Sequence, residues 1–337
     1  MRLPGSRAAG LLITVVFLIL ALSRVDLPGF LDELRHVNYA WLVPSAACTL
    51  LGYMLRTLRW RVILSGAARA PITTLFSVLM MGFATNNLLP GRLGELWRAY
   101  LLGRKRNVRK TLALASVVVE RVFDGLTLIA LLALLSTVVE LPGWGRQVEL
   151  FAALIFVGAT AGVGVLLWQP GLIRALLRLV TWPLPKAWGV WAAETFDAFV
   201  DGLGPLRRAP VLLGAALLSV GVWFLEGSSY LLLSRGINLG LPGGTEAPAI
   251  GLTLVTINLG IMVPSAPGYL GTQEFFGTSA LGVFGVSPQS ALALVLVSHA
   301  VQYVLVTSLG LLFFAREHLS PGQLRQGLRV RSPEPTA

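Results

Sequence analysis

Glu120, Arg121 and Asp124 stand inside a long apolar run. An ionisable side chain there needs a partner or a purpose, because placing one at the centre of a span costs about 2.5–3.5 kcal/mol on insertion scales. Glu120 and Asp124 are four apart and share a helix face; Arg121 and Asp124 are three apart and can pair. Two chemistries fit. The three groups can neutralise one another and pin their helix to a bundle, or the planar fork of Arg121 can bind the oxygens of an anionic headgroup phosphate while the acids orient it. Glu226 interrupts another apolar run with no basic residue within four positions, so its partner must come from elsewhere, Arg121 or an incoming proton. His299 is suited either to titration or to plain hydrogen bonding, with Gln302 close by on the same helix. No residue is marked as catalytic. Cys48 stands alone, and no zinc or redox spacing occurs, so neither metal nor cofactor is expected.

Two breaks must position these groups. Asn86-Asn87-Leu88-Leu89-Pro90-Gly91-Arg92-Leu93-Gly94-Glu95 interrupts one apolar run, with Arg98 just beyond, and its Pro-Gly-x-Leu-Gly core returns at Pro267, Gly268 and Gly271, three residues after Pro264. The offset is 177 (267 minus 90). A second echo, residues 113–119 against 291–297, has an offset of 178 (291 minus 113), and together they indicate an internal repeat. The repeat would place Ser298, His299 and Gln302 on Glu120, Arg121 and Asp124. Proline ends a helix and glycine permits close approach and positive φ, so Pro90, Gly91, Gly94, Pro264, Pro267, Gly268 and Gly271 read as hairpin tips that gate. Asn86, Asn87 and Asn258 suit the satisfaction of broken backbone. Glu95 and Glu274 follow the two tips at the same place, either to cap freed N–H groups or to line the path of a cation or headgroup.

The chain has 337 residues, 55% hydrophobic and 13% charged, with a mean hydropathy of +0.74. Such values belong to polytopic membrane proteins. The net charge of +11 lies in short loops between apolar runs, a topology signal rather than a nucleic-acid footprint. The reading is an all-α membrane domain over 1–337, with a first repeat at 10–139, a second at 150–315 and a cytoplasmic tail at 316–337. Residues 10–22 form an uncleaved first span, 24–39 an interfacial helix, and 40–55 a second span ending in the loop arginines Arg56, Arg59, Arg61 and Arg69. A second basic loop follows residues 72–89, so a simple crossing there would put one basic loop on the wrong side. A re-entrant hairpin resolves the conflict, its tip lining a cavity because hydrocarbon cannot satisfy open backbone. Spans at 111–139, 150–168, 210–233 and 289–315, an amphipathic interfacial helix around Trp188 to Phe199 and a second hairpin complete two inverted-topology repeats of three spans and one re-entrant hairpin each. Both termini fall on the cytoplasmic side. No hydrophilic stretch is long enough for a soluble catalytic domain.

Asn87 to Glu95 with Arg98, then Glu120, Arg121 and Asp124, then Glu226, then Pro264 to Glu274, resembles the flippase-like transmembrane region of bacterial lysylphosphatidylglycerol synthases and its stand-alone relatives, over about residues 10–315. The resemblance implies a bacterial inner-membrane protein that moves an anionic or amphipathic lipid between leaflets. It does not imply synthase activity, because the chain ends at Ala337 without the soluble synthase domain. An accessory subunit or intramembrane enzyme working with a separate synthase or glycosyltransferase is the alternative, and homo-oligomerisation is left open.

Overall fold

A computed structural model describes residues 4–23, 25–65, 69–89, 92–106, 108–140, 143–181, 186–262 and 267–317. Among them all regular structure is helical. The order is α1 (Pro4–Leu22), α2 (Leu27–His36), α3 (Leu42–Leu64), α4 (Ile72–Leu88), α5 (Leu93–Arg106), α6 (Lys110–Leu135), α7 (Gly143–Trp168), α8 (Pro170–Thr181), α9 (Lys186–Leu203), α10 (Ala209–Ser234), α11 (Glu246–Gly260), α12 (Thr272–Gly282) and α13 (Pro288–Arg316). Pro90, Gly91, Pro264 and nearly all of the tail lie outside the described residues.

Length and composition single out α10 and α13 as helices able to cross a bilayer. α1 with α2, and α7 with α8, pass the same test only as pairs, bent by 84° and 90°. α3 and α6, 23 and 26 residues long, would reach about 34 and 39 Å at 1.5 Å per residue, enough for a hydrocarbon core of about 30 Å. Both carry charged residues midway. Large apolar side chains stay exposed on the outward helix faces, among them Phe151 and Leu154 on α7 and Leu213, Leu217 and Phe224 on α10. In water such faces would be a liability; in lipid they are the solvated surface.

Two antiparallel pairs form the centre. α3 packs along α10 with Gly52 against Leu225 and Gly221 against Leu55. α4 packs along α13, where Gly310 faces Met80 and Ala84 and Phe76 meets Phe313 edge to face at 5.9 Å. Each helix break then folds its flanking helices into a hairpin. In α4–α5 the approach is so close that a Cβ on Gly94 would fall 1.9 Å from the Gly82 carbonyl oxygen. The Asn86 side chain accepts from the Gly94 N–H at 2.7 Å, supplying the partner that the broken helix withholds. In α11–α12 the ring of Phe276 lies over Gly260. At the other end of the chain's midsection α9 lies on α6, with Gly202 against Leu112 and Ala115.

Candidate functional site

Basic side chains enter the bundle from α3, α5 and α6, and each finds a carboxylate on a different element. Arg59, 1% exposed, donates to Asp124 at 2.7 Å and to Ser219 at 2.8 Å. Arg56 donates to Glu226 at 2.5 Å and stands 3.8 Å from Asp124, its guanidinium also 5.1 Å from the ring of Trp223. Arg98 pairs with Glu120 at 2.7 Å and lies 4.2 Å over the ring of Trp60. Arg121 reaches Glu95 at 3.3 Å and Asp124 at 3.4 Å. Asp124 thus faces three arginines. Burial of this many charges is tolerated because every desolvated group meets an opposite one.

Arg92 differs. Among the described residues it forms no ion pair; its guanidinium donates to the Ile261 carbonyl at 2.7 Å and lies 5.8 Å from the ring of Tyr269. Pairing the arginines off, Arg56 with Glu226, Arg59 with Asp124, Arg98 with Glu120 and Arg121 with Glu95, leaves Arg92 as the surplus positive charge.

The two breaks meet around a cavity of about 100 Å³. Arg56, Arg92 and Arg121 line it against Glu95 and Glu226, and Asn86, Asn87 and Asn258 add amide groups. From the second break and α13 come Gly268, Tyr269, His299 and Gln302. Arg121 keeps a side-chain exposure of 34%, so it is open to the cavity, whereas the remaining buried ion pairs form its wall. Asn87 donates to Thr307 at 3.0 Å, fixing α4 to α13. Asn258 donates to its own helix at Leu254.

Several sequence expectations are corrected here. α3 does not stop at Leu55 with Arg56 and Arg59 in a loop: it runs to Leu64, and both arginines are buried. Their carboxylates, Glu226 and Asp124, replace the water that a loop would have given. Arg98, just beyond the first break, is buried as well. The partner of Glu226 is Arg56 rather than Arg121. Glu120 turns away from its helix neighbours toward Arg98, so α6 does not neutralise itself; only the Arg121–Asp124 contact expected from spacing is present. Glu95 and Glu274 each meet a basic side chain, Arg121 and His299, and differ in that Glu274 also caps its helix, α12. It accepts from the Gly271 N–H at 2.6 Å. Of the residues marked from sequence, Arg98, Glu120, Asp124 and Glu274 stand behind the cavity wall. Of the tip residues within the structure, Gly94 lies in the α4–α5 contact, and Pro267 opens the 3-10 turn that carries Gly268. Sequence reasoning missed Arg56, Arg59 and Arg92. The available signal for Arg92 was its place inside the repeated motif.

Apolar outer faces and helix breaks that enclose charged groups define a multi-pass integral membrane protein. The chain belongs to the family described as the Lysylphosphatidylglycerol synthase TM region, matched over residues 7–310. It is similar to Glycosyltransferase AglD of Haloferax volcanii, 25% identical over 326 residues that cover 87% of this chain and 51% of that protein. The chain therefore spans about half the length of that relative. It is 27% identical over 310 residues to a UPF0104 membrane protein of Methanothermobacter thermautotrophicus, covering 84% and 86% of the two chains. The UPF0104 membrane protein MJ1078 of Methanocaldococcus jannaschii is 26% identical over 241 residues, 68% of this chain and 92% of that one. No solved structure matches.

Proposed function

We propose that this protein translocates a lipid with an anionic, phosphate-bearing headgroup between the leaflets of a bacterial inner membrane, the headgroup entering the central cavity while the tails stay in the bilayer. The observation that carries this reading is the surplus charge of Arg92 at a cavity where Arg121 is also open. A phosphate offers oxygens to both guanidinium forks, and a headgroup without an anionic group would leave Arg92 without a counter-charge. The family description, which names the TM region of a phospholipid synthase, supports a lipid-related membrane role.

The architecture that fits is a pair of inverted-topology repeats whose re-entrant hairpins, α4–α5 and α11–α12, meet near the bilayer midplane, as in many secondary transporters. Support comes from repeated contacts as well as repeated motifs: Glu95 reaches Arg121, and Glu274 reaches His299, at offsets of 179 (274 minus 95) and 178 (299 minus 121). Both chain termini would then be cytoplasmic. The test is leaflet exchange of fluorescent phosphatidylglycerol and phosphatidylcholine in proteoliposomes, wild type beside Arg121→Ala. Exchange of the anionic probe that Arg121→Ala abolishes in a folded protein supports the reading. No exchange of either probe by folded wild-type protein counts against it.

A second reading has one observation behind it. The relative named as a glycosyltransferase is about twice as long as the matched region, so a region like this one can be joined to a separate part. As an accessory subunit the protein would present a lipid carrier to a separate lipid-modifying enzyme, co-purify with it, and show no exchange alone.

A further inference from the structure

A pair of titratable groups holds the second helix break. The Nε2 of His299 lies 2.8 Å from the Gly268 carbonyl oxygen, and its Nδ1 lies 2.7 Å from Glu274 Oε1. A carbonyl oxygen only accepts, so Nε2 carries a hydrogen and donates it. The second contact needs a hydrogen of its own. Either His299 is an imidazolium that donates to ionised Glu274, or neutral His299 accepts from a carboxylic acid. The two arrangements differ only in which side of the gap holds the proton. Remove that proton, and the one N–H left on the imidazole can serve the Gly268 carbonyl or the Glu274 carboxylate but not both, so one of the two contacts must open.

The same carboxylate caps α12 through Gly271, so the pair clamps both flanks of the tip. Between the flanks, Gly268, Tyr269 and Gly271 have φ of 71°, 60° and 80°. A non-glycine residue in that region persists only where its surroundings hold it. Tyr269 is also the residue against which Arg92 rests. In the first half the matching contact, Glu95 with Arg121, is made by an arginine, which keeps its proton. Only the second half can release one.

We propose that Glu274 and His299 form a proton-binding site that latches the second tip, so that lipid translocation is coupled to proton movement. This rests on the translocation reading. One proton is taken up from solvent entering the cavity when the latch closes and returned to solvent when it opens; no bond to carbon changes. Opening frees Gly268 and Gly271, and Tyr269 then shifts beneath Arg92. Other ionisable groups surround the pair. Tyr303 on α13 has its ring 6.2 Å from His299, Tyr230 on α10 accepts from Gln273 beside Glu274, and Tyr269 stands at the tip. Gln302 leads on to Glu226, with its partner Arg56, and to Tyr53. α4 and α11 turn no ionisable group to this cavity: Phe83, Asn86 and Asn87 line it from the first, Ile257 and Asn258 from the second.

The sequence holds three histidines, so His36→Gln with His318→Gln leaves His299 as the only one. The full chain carrying those two changes, labelled with 15N-histidine in phosphatidylethanolamine–phosphatidylglycerol vesicles, gives the protonation of one imidazole directly. In parallel, fluorescent phosphatidylglycerol reports leaflet distribution under an imposed gradient of one pH unit. The expected result is a His299 ring that changes protonation with pH, and a leaflet asymmetry of about tenfold, the limit for one proton per lipid. Glu274→Gln, which keeps the cap through its amide oxygen, should lose the response to the gradient. A His299 ring in one protonation state at every pH where the protein is folded overturns the proposal, as does an asymmetry that Glu274→Gln leaves intact. A ring that titrates, and loses its titration in Glu274→Gln, in a protein that exchanges no probe upholds the proton site and sinks translocation instead.

Discussion

Arg92 and Tyr269 occupy the same place in the two Pro-Gly-x-Leu-Gly motifs, and they meet: the guanidinium lies 5.8 Å from the ring centroid. Both have left-handed backbone, with φ of 52° and 60°. The two tips therefore rest on one another through the residue that each motif leaves variable, an arginine in one copy and an aromatic ring in the other. The pairing places the unbalanced cation of the cavity on a contact that either hairpin can disturb. Arg92→Gln keeps a donor for the Ile261 carbonyl while removing the charge. It should lower exchange of phosphatidylglycerol by about tenfold or more, the loss of one charge-assisted contact of roughly 1.5–3 kcal/mol, with the thermal midpoint in detergent nearly unchanged. Unchanged exchange of phosphatidylglycerol in Arg92→Gln would count against a phosphate contact.

Arg98 and Glu120 form a buried ion pair behind the cavity wall. Their side chains are 3% and 1% exposed, and the guanidinium is stacked on Trp60, whose indole N–H donates to Ser116. Arg98→Met strands Glu120 in the bundle and should cost about 3–5 kcal/mol, whereas Arg98→Met with Glu120→Leu should recover most of the loss. Thermal unfolding in detergent of the two single variants and the double variant measures the coupling. A double variant no more stable than the worse single one would show that the pair does more than balance charge.

Gly94 sets the distance between the limbs of the first hairpin. A methyl group there would sit 1.9 Å from the Gly82 carbonyl oxygen, which is backbone and cannot swing away. Gly94→Ala must spread α4 from α5 and break the Asn86 cap. Overpacking of this kind costs about 1–3 kcal/mol, and a cysteine pair across the two limbs should crosslink in wild type but more slowly in Gly94→Ala. Unchanged crosslinking would mean that the limbs are looser than their packing implies.

How much of this was legible in the sequence follows from where each partner sits. Arg121 and Asp124 lie three apart on one helix, so their contact could be read from spacing. The partners of Arg59 and Arg56 lie 65 and 170 positions away, and at the end of an apolar run an arginine bound for a loop looks the same as one bound for a carboxylate. The charge pattern accordingly ended α3 about two turns early. Glu274 was marked by its place after a break, but its bond to His299 arises only when α12 folds back on α13. Helical class and the positions of both breaks came through because they depend on local composition.

Glu226 offers a change of opposite sign. It lines the cavity and holds Arg56 at 2.5 Å, so Glu226→Gln removes one negative charge while its amide still approaches Arg56. Arg56 is left with Asp124 at 3.8 Å, and the cavity carries two unbalanced cations where it had one. An anionic headgroup should then bind several-fold more tightly and leave more slowly, since at an effective dielectric constant of about 20 an extra charge 4 Å away contributes up to roughly 4 kcal/mol before desolvation is counted. The expected pattern is a lower half-saturating mole fraction of phosphatidylglycerol together with a lower maximal exchange rate. Both effects should weaken as ionic strength rises, to the extent that the cavity admits salt. A variant with weaker saturation would mean that Glu226 touches the headgroup itself, as an acceptor, rather than restraining Arg56.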